Sequence, residues 1–560
     1  MQRVLECVPN FSEGRDRTVI DQITAPIETV DGVRLLDVDP GQATNRTVVT
    51  MAGDPDAVVE AAFLAVARAA ELIDMRTHSG EHPRFGATDV CPLVPVAGIT
   101  MEETVAYARA LAKRLGDELG LTIYCYENAA LKDERRNLAT VRAGEYEGLE
   151  AKLQDPNWKP DFGPAVFNAR SGATAVSARD FLVAYNINLN TTSTRRANAI
   201  AFDVREQGRV KTEDGGLTGK PVLDAHGEKV RIPGSLKCVK GIGWYIEEYG
   251  VAQISMNLTN TSVTPVHVAF DEVCRCAVAR GVRVTGSELV GLVPLQSILD
   301  AGRYFLRKQQ RSVGVSDREL IKIAVKSMGL DELSPFDPNE KIIEYAIADR
   351  SQRRLVDLPL REFVEETASE SPAPGGGSVA AALGALGASL GTMIANLSAH
   401  KRGWDDRWEE FSDWAEKGKV IQDELVALID ADTDAFNAVL AAFRLPKSTP
   451  EEKRARVDAI EAANRGASEV PLRVMEVALA SMDVLRAMAQ IGMEQSATDA
   501  GVGALCARSA VLGAGLNVRI NLAGLKDADA ARTYRARADE LTRQAIEAET
   551  EILAIVASRS

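Results

Sequence analysis

Two short stretches combine the residue types that proton-transfer chemistry needs. The chain holds five histidines in 560 residues, and the run His78-Ser79-Gly80-Glu81-His82 sets two of them four positions apart. Formally this matches H-x-x-E-H, a zinc-peptidase signature. That chemistry requires both rings on one face of a regular helix, whereas Gly80 between them and Pro83 directly after them favour a loop. Three readings stand: a pair of metal ligands, a purely structural pair, or a catalytic imidazole presented on a loop, which the local sequence favours. An imidazole, with an ordinary pKa of about 6.5, can accept and return a proton within one cycle at neutral pH.

The second stretch is Asp430-Ala431-Asp432-Thr433-Asp434, inside a helical run with Leu425, Leu428, Ile429, Phe436 and Leu440 around it. Spacings of three and four place Ile429, Asp432 and Phe436 on one face, and the apolar company predicts a buried Asp432. Burial disfavours the charged carboxylate and suits it for general-acid work; pairing with an arginine is the structural alternative. Asp499, in Ser496-Ala497-Thr498-Asp499, is a secondary candidate. Upstream, Pro374-Gly375-Gly376-Gly377-Ser378 leads into a helix. Free backbone N–H groups there can hold an anion, and glycines let a ligand approach; a flexible helix start is the alternative. Gly219-Lys220-Pro221 superficially resembles a phosphate loop, but Asp214 stands at the first glycine position and Pro221 at the Ser/Thr position, so no nucleotide site is expected.

Two kinds of architecture must position these groups. Up to residue 330 the pattern is α/β. Arg3–Val8 reads as a strand, Asp16–Glu28 as a helix, and Val33–Val38 and Arg46–Met51 as strands about an Asp39-Pro40-Gly41 turn. Asp54-Pro55 caps a helix running to Leu72, and a further strand ends at Leu93-Val94-Pro95. From Phe181–Leu189 the same order recurs: helix, strands at Gly243–Ile246 and Val251–Leu258, helix at Pro265–Arg280, and a strand leading to Leu292-Val293-Pro294. Each half is therefore read as βαββαβ, a ferredoxin-like unit. Within the second half Gln207–Leu236, rich in glycine, proline and charge, reads as an exposed loop or small hairpin. After a linker the chain is all-helical, with breaks expected at Pro446, Pro450 and Pro471. The expected division is 1–180 and 181–330 for two α/β subdomains, 331–358 for the linker and 359–560 for a helical bundle.

The uncharged run Val379–Leu397 is long enough to cross a bilayer, but Gly384, Gly387 and Gly391 suit close helix–helix approach inside a protein, so no membrane span is expected. Sixty-five basic against 80 acidic residues leave a formal charge of −15, which offers no global basic field for nucleic acid. Seven scattered cysteines without a CxxC pair predict reduced thiols and a cytoplasmic protein. The N-terminus lacks the pattern of a secretory signal.

Several stretches together resemble the formimidoyltransferase-cyclodeaminase family: Glu6-Cys7-Val8-Pro9-Asn10-Phe11-Ser12-Glu13-Gly14, Leu36–Asp39 with Thr44–Thr47, Gly80–Arg84 running on to Asp89-Val90-Cys91-Pro92, Arg142–Glu147, Gly241–Tyr245, Ala373–Val379, Asp430–Phe436 and Leu445-Pro446-Lys447. They cover nearly the whole chain in the family's domain order. The resemblance implies a transferase on two α/β subdomains and a cyclodeaminase on a helical domain. The transferase histidine falls on His82, the cyclodeaminase aspartate on Asp432, and the folate-contacting segment on Gly163–Gly172, with Gly163, Pro164 and Gly172 as its matching ends. Gly375, Gly376 and Gly377 are the expected folate-side glycines of the helical domain. The family also implies a homo-octamer and a polyglutamylated folate passed between sites.

The implied reaction moves the formimino group of N-formimino-L-glutamate to N5 of tetrahydrofolate, then closes 5-formiminotetrahydrofolate to 5,10-methenyltetrahydrofolate with loss of ammonia. In the transfer the attacking nitrogen loses a proton and the departing nitrogen gains one, which a single imidazole can serve. A carboxylate would orient that ring, and Asp39 is the candidate; Arg46 or Arg84 could meet substrate carboxylates in bidentate pairs. In the closure N10 attacks within the molecule, and ammonia leaves once protonated, a task for Asp432. No metal is required. A zinc peptidase and a folate-binding protein without turnover are the rival readings, separable by metal analysis and by an assay for methenyltetrahydrofolate.

Overall fold

The computed structural model describes every residue except 1, 2, 43, 81–83, 217, 218, 349–353, 372 and 560. The chain forms two compact units, Met1–Ala301 with Ala324–Ala348, and Gly302–Ile323 with Asp349–Ser560. Unit 1 is mixed α/β and unit 2 is helical.

Unit 1 opens with β1 (Val4–Cys7), β2 (Asn10–Phe11), α1 (Arg17–Thr24), β3 (Val33–Gly41), β4 (Arg46–Gly53), α2 (Pro55–Leu72), β5 (Thr88–Ala97), α3 (Met101–Leu119), β6 (Thr122–Glu127), the short α4 (Leu138–Val141) and α5 (Leu149–Gln154), and β7 (Ala173–Ala178). These strands make one sheet. β3 is its edge beside β4; β1 and β2 come next, then β5, with β7 and β6 added in parallel. Strand alternation sends Leu5 and Cys7 into a core with Val58, Ala62 and Val66 of α2 and Leu111 and Leu115 of α3, which leaves Glu6 on the opposite face. The Asp54 carboxylate caps α2 by accepting from the Asp56 N–H at 3.0 Å, as its sequence implies.

Two local expectations need correction. Asp39-Pro40-Gly41 does not turn; β3 continues through it, with Asp39 opposite Val48 and Pro40 opposite Thr47. On an edge strand the missing proline N–H costs no ladder bond, so the proline is tolerated. The turn lies further on and closes with Asn45 at φ 49°. Helix α1 stops at Thr24 rather than Glu28, because Pro26 begins a separate 3-10 turn at Ile27–Thr29.

The second sheet of unit 1 comes from β8 (Val183–Leu189), α6 (Thr194–Val204), the small hairpin β9 (Arg209–Val210) and β10 (Arg231–Ile232), β11 (Val239–Ile246), β12 (Val251–Leu258), α7 (Val266–Val278) and β13 (Val284–Val290). Its order is β11-β12-β8-β13, antiparallel throughout. One cross-strand row runs Trp244, Gln253, Asn188, Gly286. Trp244 Nε1 donates to Gln253 at 2.9 Å, Gln253 to Asn188 at 2.9 Å, and Asn188 to Glu332 at 3.0 Å. A side chain at Gly286 would collide with Glu332, so the glycine is what lets this carboxylate finish the row.

Helices α8 (Leu295–Lys308) and α9 (Asp317–Met328) contain two of the three unit boundaries, the third following Ala348. The stretch 331–348, expected as part of a linker, is packed into unit 1. Its helices α10 (Pro338–Lys341) and α11 (Ile343–Ala346) are held by the Ile343 N–H on the Val293 carbonyl at 3.1 Å, with Ile342 and Ile343 fully buried.

Unit 2 is built from α12 (Leu360–Thr367), α13 (Gly376–Ala399), α14 (Trp408–Arg444), α15 (Pro450–Ile491), α16 (Ala497–Asn521) and α17 (Ala528–Arg559). Helix α13 is the apolar run considered above, and 61% of its most hydropathic window is buried among the other helices. A Cβ at Gly387 would lie 2.8 Å from the Gly503 carbonyl and one at Gly391 3.1 Å from Val484, so the glycines set how closely α16 and α15 approach. Thr449 and Glu452 form a capping box around Pro450 at the start of α15.

The break expected at Pro471 does not occur: α15 runs through it. Proline removes the N–H that would bond to the carbonyl four residues back, and that carbonyl belongs to Ala467. The Asn521 side-chain amide donates to it instead, at 2.6 Å. A side chain 50 positions away thus repairs the helix.

Candidate active sites

In unit 1 the transferase candidate His82 lies, with Glu81 and Pro83, outside the described residues. The chain on either side is pinned. His78 Nε2 donates to the Asn45 carbonyl at 2.7 Å, Asn45 Nδ2 donates to the Ser79 carbonyl at 3.0 Å, and a Cβ at Gly80 would collide with the Thr44 carbonyl. On the far side Arg84 pairs with Glu147, and its carbonyl accepts from the Tyr146 N–H at 2.9 Å. Asn45 adopts its left-handed backbone to bind both this loop and the Gly14 N–H, at 3.0 Å. Burial holds the His78 imidazole below its usual pKa, and its Nδ1 is buried without a partner, so the ring is a neutral anchor. Among the described residues no cluster of three or more His, Cys, Asp or Glu could hold a metal.

A charged cluster lies on the same sheet. Asp89, 1% exposed, pairs with Arg46 at 3.2 Å and with Arg142, and Arg46 also donates to Asn10 Oδ1 at 2.6 Å. Burial pulls the Arg46 pKa down, with Asp89 opposing. Arg46 and Arg84, named from sequence as substrate carboxylate partners, are thus already engaged by Asp89, Asn10 and Glu147. Asp39 is exposed on β3, in the row Asp39, Val48, Asn10 across β3, β4 and β2, so it shares the face of Asn10.

The segment 163–172 ends beside this loop. The Ala87 N–H donates to the Ser171 carbonyl at 2.8 Å and the Ala173 N–H to that of Phe85 at 3.1 Å. Gly163 and Gly172 have φ of 78° and 65°, and a Cβ on either would meet a backbone carbonyl, of Leu121 or Phe85. Their type is therefore explained by chain packing alone. Pro164 and Val166 are exposed.

One buried group on this sheet yields a stability prediction. Burial pushes the Glu6 carboxyl from 4.5 up to about 7, with Arg179 opposing. The folded protein binds that proton more tightly than the unfolded chain. The contribution is complete below about pH 4.5 and is lost as pH rises through about 7, a change of roughly 3 kcal/mol. Glu6→Gln should therefore raise the denaturant midpoint at pH 8 and leave it nearly unchanged at pH 4.5. Equal effects at both pH values would mean that Glu6 titrates normally.

In unit 2 the sequence candidates do come together. Asp432 is half-buried on α14 and reaches the start of α13: the Ser378 N–H donates to its Oδ2 at 2.9 Å and the Ser378 hydroxyl at 3.1 Å. A Cβ at Gly377 would collide with Asp432 Oδ1, and Gly375 faces open space. The group that this glycine-rich start holds is therefore the protein's own carboxyl. Burial raises the Asp432 pKa and the two Ser378 bonds oppose it. Since Oδ2 is the acceptor of both donors, the acid proton belongs on Oδ1.

Asp432 lines a pocket of about 350 Å³ together with Gly375, Gly376, Phe436, Asn464, Asn517 and Asn521 among others. Phe436, expected in the core, is 41% exposed, while Ile429 on the same face is buried. Ile429 packs into the core, whereas Phe436, about two turns further along, borders open space. Asp499 is not in this site: it precedes Asn517 by 18 positions on α16, about 27 Å along the axis. The three asparagines had no motif to mark them, and the sole sequence signal was polar residues spaced by four on an otherwise small-residue helix.

Three family models tile the chain: the formiminotransferase domain, N-terminal subdomain, over residues 4–179; the formiminotransferase domain over 184–348; and formiminotransferase-cyclodeaminase over 359–540. With an α/β unit and a helical unit that carries a pocketed acid, they define a bifunctional enzyme joining group transfer to a deaminating closure. The chain is 45% identical to the formimidoyltransferase-cyclodeaminase of Gallus gallus over 528 residues, 94% of each protein. It is 41% identical to the glutamate formimidoyltransferase of Thermoplasma acidophilum over 57% of this chain and 98% of that one. It is also 37% identical to the methenyltetrahydrofolate cyclohydrolase of Methylorubrum extorquens over 168 residues, 30% of this chain and 81% of that one. The chain belongs to the formimidoyltransferase-cyclodeaminase family and has both activities, transferase and cyclodeaminase.

Proposed function

We propose that unit 1 moves the formimino group of N-formimino-L-glutamate to N5 of tetrahydrofolate and that unit 2 closes the product to 5,10-methenyltetrahydrofolate with release of ammonia. The observation that carries the second half is Asp432, held through one oxygen by Ser378 while the other belongs to the acid form beside a pocket. N10 attacks the formimino carbon from within the bound molecule, so geometry supplies much of the rate, and Asp432 protonates the leaving nitrogen. In unit 1 His82 takes the proton from N5 and returns it to the departing glutamate nitrogen. Asp39 orients the ring, and the 163–172 segment contacts folate through its ends, where Pro164 is exposed beside Gly163.

Both sheets of unit 1 are ferredoxin-like in this reading, supported by a shared order: with β1 and β2 counted as one interrupted strand, β3-β4-β1/β2-β5 matches β11-β12-β8-β13 as second-third-first-fourth. The functional division is 1–180 and 181–330 for the two transferase subdomains, with 331–348 packed into the same unit, and 359–560 for the cyclodeaminase. The enzyme is a cytoplasmic homo-octamer that needs no metal and uses polyglutamylated folate. Exposed Leu386, Leu397, Leu516 and Ile520 on α13 and α16 support a covered face on unit 2. The test is to follow methenyltetrahydrofolate absorbance and ammonia together after mixing enzyme, formiminoglutamate and tetrahydrofolate, with and without chelator. Equal yields unaffected by chelation are expected. Folate binding without either product would leave a non-catalytic folate protein, and loss on chelation restored by zinc would require a metal.

A further inference from the structure

The pocket beside Asp432 carries a recognition surface that the acid does not use. Asn464, Asn517 and Asn521 all line it, from α15 and α16. Each turns its NH2 group onto a backbone carbonyl: Asn464 to Gly524 at 2.9 Å, Asn517 to Gly513 at 3.1 Å, and Asn521 to Ala467 at 2.6 Å. A carbonyl only accepts, so these partners dictate which way each amide faces. Each Oδ1 is left without a partner among the described residues. The three amides thus offer three acceptor oxygens beside the acid group of Asp432, and neither lysine nor arginine lines the pocket.

Such a wall rejects carboxylates and selects a ligand face rich in N–H groups. Within 5-formiminotetrahydrofolate the glutamate tail is anionic and the aminobenzoyl part offers few donors. The reduced pterin is different: its 2-amino-4-oxopyrimidine edge carries the 2-amino group and N3–H on a flat ring, which the exposed ring of Phe436 in the same pocket can flank. The geometry points to Asn464, Asn517 and Asn521 as the specificity-determining residues of the cyclodeaminase, receiving the 2-amino and N3–H donors of the pterin while Asp432 meets the formimino nitrogen. This rests on the cyclodeaminase reading of the pocket.

Asn521 also caps Ala467 at the proline of α15, so its loss would confound folding with recognition. The test uses Asn464→Ala and Asn517→Ala in the full chain and measures ammonia release from 5-formiminotetrahydrofolate and from its 2-desamino counterpart. Wild type should prefer the natural substrate in kcat/KM. Each variant should lose about tenfold on the natural substrate, mainly through KM, and little on the 2-desamino compound, so that the preference collapses. A general structural defect would lower both substrates alike, and that result, or unchanged preference in both variants, overturns the inference. Equal use of both substrates by wild type overturns it as well while leaving the cyclodeaminase reading intact. Absence of ammonia from either substrate with wild type overturns the reading itself.

Discussion

Asp432→Asn should leave formimino transfer intact and stall the pathway at 5-formiminotetrahydrofolate, with ammonia release down about 10²–10⁴-fold, the range of a positioned acid–base group. Asparagine keeps the size of the side chain and can still accept from the Ser378 N–H and hydroxyl through its carbonyl oxygen. What it lacks is the acid proton on Oδ1. The raised pKa of Asp432 adds a second signature: closure should decline as pH rises through that pKa, because burial favours the acid form and the acid form does the work. If the role is structural instead, the variant should melt earlier while its folded fraction releases ammonia normally. Measuring melting temperature beside ammonia release separates the two. Normal release with normal stability would assign the proton to another group of the pocket or to solvent, since Asp499 lies elsewhere on α16.

His82→Ala should have the reciprocal effect. Transfer from formiminoglutamate should fall by about 10²–10⁴-fold, while supplied 5-formiminotetrahydrofolate is still closed at the normal rate. The reason lies in the anchoring of its neighbours. His78, Ser79 and Gly80 are tied to Thr44 and Asn45, and Arg84 to Tyr146 and Glu147, so the described residues that flank His82 are anchored. His78, the other histidine of the motif, donates its Nε2 proton to a backbone carbonyl and has its Nδ1 buried, which leaves it no catalytic nitrogen. Near-normal transfer by the alanine variant, measured by disappearance of formiminoglutamate, would remove His82 from the mechanism. Since the two losses fall on different reactions, mixing the two variants should restore the full sequence if the intermediate is free to diffuse.

Features governed by near neighbours were legible in the sequence. Asp54-Pro55 marks the start of α2 because a carboxylate one residue before proline meets the first free N–H groups. Thr449, Pro450 and Glu452 do the same for α15. The buried side of α14 at Ile429 and Asp432 follows from helical periodicity, and so does the raised acid there. What periodicity cannot see is where a helix face leaves the core. It grouped Phe436 with the buried side, although that position borders the pocket and is exposed.

Tertiary structure decided the rest, in each case through a partner far along the chain. Pro471 breaks a helix by every local rule, yet α15 is continuous because Asn521 supplies the missing donor. Asp39-Pro40-Gly41 has turn composition but lies in a strand, because an edge position asks no N–H of the proline. Gly163 and Gly172 match a folate-contacting segment, yet the carbonyls of Leu121 and Phe85 already require glycine there. The sequence by itself determined the two kinds of architecture, the helix starts and the half-buried setting of Asp432, since these depend on residues within a turn or two of one another. The acceptor wall of Asn464, Asn517 and Asn521 was decided only by folding: it joins two helices, and each amide is aimed by a backbone carbonyl whose position no local pattern encodes.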